Sequence, residues 1–178
     1  MQQACLTRGA MCALLVVATL RPAPAQSALL NQELLKDWLQ MKDMLMKLAN
    51  EIPEDKYSFK ATPAERDFGQ QVLHVAGGNL INLNFLHGKA TPPVINRQAK
   101  SKAEIMKAMA DSFDYGTALI KEQTDQSMLE VVQTNQYLGP SSRARVIYFL
   151  LGHGWDIYGQ MVVYLRLNGG VPPASQRP

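Results

Sequence analysis

The stretch LLGHGWDIYGQMVVYLRLNGGVPPAS, residues 150–175, decides the fold. With Val146 before it, Leu150, His153, Ile157, Met161 and Tyr164 recur at spacings of three and four, the period of one helical face. Asn168-Gly169-Gly170 forms a natural C-cap, and Pro172-Pro173 bars continuation. Ser141 or Ser142 stands where an N-cap belongs, so the spacing predicts one long helix from there to Asn168. His153 takes the place of an apolar residue on its inward stripe. A histidine there is a ligand, a base or a hydrogen-bonded core residue.

The same period recurs upstream. Leu30, Leu34, Trp38, Met41, Leu45 and Leu48 predict a helix over 29–50. A second spans roughly 65–86, with Pro63 near its first turn. Between them, EIPEDKYSFKATPAERDF has two prolines and no periodicity. HGKATPPVINRQAK, from residue 87, reads as a loop. SKAE at 101–104 is a capping box opening a third helix to about Gln123, with Ile105, Met109, Phe113, Leu119 and Ile120 apolar. TDQSMLEVVQTNQYLGPS is looser and leads to the last helix. No strand alternation stands out. The economical architecture is all-α, a four-helix bundle with one longer crossing loop.

The chain has 178 residues, enough for one domain with a sizeable core. Residues 1–25 have the layout of a cleavable signal peptide: Arg8, then the 11-residue apolar run Ala10–Leu20, then small residues before Gln26. The run is well short of the roughly 20 residues that cross a bilayer as a helix. An exported protein, periplasmic or secreted, is the expectation, with the bundle domain over 26–178 and no stable membrane insertion after cleavage. Both cysteines, Cys5 and Cys12, would leave with the leader, and with them any disulfide, Cys nucleophile or thiolate ligand. Arg8 and Arg21 are two of the 18 basic residues, so 16 would remain against 15 acidic ones, a net of +1. Such a balance gives no electrostatic footing for nucleic acid.

Three histidines exist: His74, His87 and His153. His74 lies on a stripe of the second helix with Gln71, Gly78, Ile81 and Phe85. Gly77 and Gly78 lie one turn on, and each costs a helix about 1 kcal/mol against Ala, which hints at close approach by another helix or a ligand. His87 sits beside Gly88 at the helix end and reads as a surface or C-cap residue. Two imidazoles on facing helices suit a metal, but a complete site takes three or four ligands. By spacing alone, a lone inward histidine on a helix is more often a hydrogen-bonded core residue.

IPEDKYSFKATPAERDFGQQVLHVA (52–76) and HGWDIYGQMVVYLRLNGGVPPAS (153–175) carry a resemblance. In spacing and order they are similar to the DinB/YfiT-like family of metal-binding four-helix bundles, over about Leu29–Ser175. The resemblance implies a metal held by one histidine of the second helix and two of the last, four apart. His74 matches the first position and His153 the second; the third is Ile157, which cannot ligate. Tyr158, Gly159 and Gln160 keep the register. Asp156, three residues after His153, shares a helix face with it and could complete a His/His/Asp set for a divalent ion of Zn or Ni type. Relatives in the wider family include metal-dependent transferases, so the resemblance implies a metal-dependent hydrolase or transferase acting on a small molecule. Family bundles often pair, which allows a homodimer. The competing reading is a metal-free helical binding or interaction module.

Other chemistries find little support. There is no Gly-x-Ser-x-Gly and no phosphate-binding glycine loop. Met41, Met44 and Met46 could suggest copper handling, but Met at helical spacing is more often core filler.

Overall fold

The computed structural model describes residues 29–176. The expected leader, and the boundary between it and the 26–178 domain, lie outside the described residues. Five α-helices follow in order: α1 (Leu29–Glu51), α2 (Phe68–Leu83), α3 (Lys102–Lys121), α4 (Asp125–Leu129) and α5 (Arg143–Leu167). The expected count of four therefore falls short. α4 is a five-residue helix in the stretch without periodicity, where no amphipathic signal could mark it. A short antiparallel pairing of Val131–Val132 with Ser141–Ser142 also departs from the all-helical expectation.

The amphipathic stripes bury as their spacing requires. Trp38, Met41, Leu45 and Leu48 of α1 are buried, as are Ile105, Met109, Phe113, Leu119 and Ile120 of α3. α1 packs on α3 and α5, and α2 packs on the same two helices, so the four long helices enclose one core. Two close approaches depend on glycine. A Cβ on Gly116 would lie 2.6 Å from Trp38 Cε2, and one on Gly154 would lie 2.9 Å from Met41 Sδ. Missing side chains on α3 and α5 thus admit the large residues of α1.

Local chemistry sets the helix ends. α2 starts at Phe68, later than expected, because Asp67 and Gln70 form a reciprocal capping box: Gln70 N donates to Asp67 Oδ1 at 2.7 Å, and Asp67 N donates to Gln70 Oε1 at 2.9 Å. At Ser101 the expected box is half made. Its hydroxyl accepts from Glu104 N, but the Glu104 carboxylate takes the Ser101 hydroxyl proton rather than a backbone N–H. Ser142 caps α5, and Gly169 closes it at φ 78°, a left-handed position suited to glycine. α4 ties two ends together. Its Asp125 carboxylate accepts from Leu30 N and Asn31 N, while Asn31 Nδ2 donates to the Ile120 and Gln123 carbonyls at the end of α3. Among the described residues no helix is long and apolar enough to cross a membrane.

Candidate functional site

α2 and α5 lie side by side and run in opposite directions. Gln71 meets Gln160 near one end of the contact, and Gly78 meets His153 near the other. That arrangement brings His74 and His153 together, with ring centroids 4.9 Å apart and planes at 85°. Residues 79 positions apart in the chain become edge-to-face neighbours, as their places on facing stripes require. Neither is a core residue, however: both are half-buried. The stripe on α5 turns so that Gly154, not His153, faces α1, while Ile157, Met161 and Tyr164 stay inside.

Charge and burial act on both rings. Burial, then the Arg66 guanidinium, then His153 hold the His74 imidazole below its ordinary pKa, and Asp156 pulls the other way. Burial likewise lowers His153; Asp156 opposes this and Arg66 adds to it. No hydrogen bond figures among these influences. Both imidazoles are therefore mainly neutral near pH 7, each with one ring nitrogen able to accept a proton or a metal.

Asp156 is placed differently. It is exposed, and its carboxylate accepts from Gln160 Nε2 at 3.1 Å. Gln160 Oε1 in turn accepts from Gln71 Nε2 at 2.7 Å. This leaves Gln71 Oε1 as a buried acceptor without a partner, on a residue only 2 % exposed. Asp156 and His153 line a cavity of about 430 Å³ beside Tyr148 and Phe149. His74 lines a different one, of about 380 Å³, with Arg66 and Arg97. His153 stands between the two. Among the described residues no three His, Cys, Asp or Glu side chains gather into a set able to hold a metal ion. Ile157, at the position where the resemblance expects the third imidazole, is 2 % exposed and packed in the core.

The glycine pair contributes as well, though not through another helix backbone. A Cβ on Gly78 would lie 3.5 Å from His153 Nε2, ordinary van der Waals contact. At Gly77 the approach is tighter: the Arg97 guanidinium carbon would stand 3.2 Å away, and Arg97 Nη2 reaches the Gly77 carbonyl at 3.4 Å. Arg66 is anchored through its backbone, where Tyr164 Oη donates to its carbonyl at 2.6 Å. Sequence reasoning missed both arginines. Each lies outside the regular helices, and only the placement of the 84–101 segment across α2 joins them. His87 occupies a C-cap position with φ 54°, exposed and away from the pair.

The DinB family model matches residues 25–178. Among solved structures, a DinB-like protein from Bacillus cereus superposes with a TM-score of 0.71 at 16 % identity, covering 80 % of this chain and 95 % of that one. A DinB-like protein from Bacillus subtilis, YjoA, superposes with a TM-score of 0.64 at 17 % identity, covering 82 % and 99 %. At these identities the likeness concerns the fold. No curated protein matches the chain in sequence.

Proposed function

The chain belongs to the DinB family, and from that premise we propose that it is an exported small-molecule-binding bundle whose site is the cleft beside His74 and His153. One observation carries the reading. The residues present do not fit a resident metal centre of the family's type, because its third donor position is filled by the buried, non-ligating Ile157. The Asp156 carboxylate accepts from Gln160 and lines a cavity other than His74's, so it would have to leave Gln160 to serve as that donor. What is left is a pair of neutral imidazoles bordering a cleft with two arginines, a donor set suited to binding.

A second reading has an observation in its favour. Two facing imidazoles, both held below their ordinary pKa, supply two metal-ligand positions. An ion of Zn or Ni type held by His74 and His153, with Asp156 or solvent on the open positions, is the donor set of a metal-dependent hydrolase or transferase. The deciding experiment is the metal content of the purified protein, made without an affinity tag, beside His74→Ala and His153→Ala. The binding reading expects well under one equivalent of metal in all three proteins. Near-stoichiometric metal in the wild type, lost in both variants, would replace it with the metal reading.

A further inference from the structure

The cleft beside His74 has a marked charge character. Arg66 and Arg97 line it with His74 and Gln70, and it holds no Asp or Glu. Neither arginine has a carboxylate within ion-pair distance among the described residues, although five other Lys or Arg side chains do. Two acidic residues flank Arg66 in sequence: Asp67 is committed to capping α2 through Gln70 N, and Glu65 makes no ion pair with Arg66 and does not line the cleft. The Arg97 guanidinium is held in place, and Arg66 is anchored at its backbone. Tyr164 holds the Arg66 backbone, and Arg97 lies flat on the side-chain-free surface at Gly77. Two unpaired guanidinium groups on one concave surface are unusual, since a planar fork of donors is the protein's best match for a carboxylate or phosphate.

We propose that this cleft binds the oxyanion group of a small molecule, a carboxylate or a phosphate, through Arg66 and Arg97, with Gln70 and His74 as neutral partners along its floor. Gly77 lets the Arg97 guanidinium lie against the helix surface, and Gly78 leaves room for the His153 ring beside it. The inference deepens the binding role proposed above and rests on it. The same charge pattern disfavours a cation beside His74, since Arg66 is felt at both imidazoles.

The test is a titration of the purified protein with sodium phosphate and, separately, sodium acetate at constant ionic strength held with chloride. It is followed by amide and arginine side-chain NMR shifts, with metal content measured on the same sample. The expected result is saturable movement of the Gly77, Gly78 and Arg97 signals with a Kd of about 10 mM or tighter for at least one of the two anions. Whichever binds more tightly identifies the phosphate or the carboxylate as the group recognised. Arg66→Gln and Arg97→Gln should each weaken binding about tenfold, the loss of one charged hydrogen-bonding partner. Arg166→Gln, an exposed change on the last turn of α5, should leave it unaltered. Shifts that do not saturate, or that are equal in all three variants, overturn the inference while leaving the binding role standing. Stoichiometric metal lost in His74→Ala overturns the binding role itself, whatever the anion result.

Discussion

Replacing Ile157 by histidine puts the reading of this site to its most direct trial. Ile157 lies one turn after His153 on α5, and its side chain is 2 % exposed in the core. Burial of such a side chain is worth about 1.5–3 kcal/mol. Substituting an imidazole forfeits most of that and buries a polar ring, so Ile157→His should cost roughly 2–3 kcal/mol in the absence of metal. For a chain of this size each kcal/mol moves Tm by about 2–4 °C, which gives a fall of about 4–12 °C in EDTA. The variant also restores the missing third donor. Zinc bound only to the folded state returns about 2.7 kcal/mol at a free concentration 100 times its Kd, nearly the whole loss. Scanning calorimetry of both proteins, in EDTA and in zinc, together with metal analysis, reads this directly. The wild type should be indifferent to zinc, and the variant should recover most of its Tm and hold close to one equivalent. A wild type stabilised by zinc as strongly as the variant would refute the claim that Ile157 breaks the donor set. A variant that neither binds zinc nor recovers would refute the reading of residue 157 as the third donor position.

Acid should weaken the fold through the same pair. Both imidazoles have lowered pKa values when folded, from burial first, with Arg66 adding to it and Asp156 opposing. The unfolded chain therefore binds these protons more readily. Their contribution to stability is complete above the unfolded pKa of about 6.5 and is lost as pH falls below it. Urea unfolding at pH 7, 6 and 5 should show a steeper loss for the wild type than for a His74→Gln/His153→Gln variant; equal slopes would count against the assignment. Two glycines should respond oppositely to alanine. Gly116→Ala gains about 1 kcal/mol of helix propensity but drives a methyl into Trp38, an overpacking cost of about 2–3 kcal/mol, so Tm should fall and Trp38 fluorescence should shift. Gly159→Ala meets nothing within 4 Å on exposed α5 and should raise stability by up to about 1 kcal/mol. A stabilising Gly116→Ala would mean the α1–α3 contact is looser than described.

Much of the fold was legible because helical periodicity is written locally. The α1 and α3 stripes, the Ser142 cap and the Gly169 terminator each depend on residues within a turn or two of one another. The meeting of His74 with His153 was legible for a related reason: both sit on the faces through which their helices pack. α4 was not, since its five residues have no repeat to read and its stability comes from Thr124 capping and from Asp125 binding the start of α1. The α2 start was misjudged because Pro63 is a visible signal, whereas the Asp67–Gln70 box that prevails is a pair of side-chain bonds.

The sequence by itself determined which residues are apolar at helical spacing, where most helices stop, and that Ile157 cannot ligate a metal. Those properties belong to single residues or to one turn of chain. Only the tertiary structure decided that His153 sits at the rim of the core, since the rotation of α5 is set by Gly154 receiving Met41. Only it placed Asp156 and His74 in different cavities. And only it joined Arg66 to Arg97 in one acid-free cleft, because an aperiodic segment's path depends on the surface it crosses: here the bare helix at Gly77 accepts a guanidinium where a side chain would crowd it.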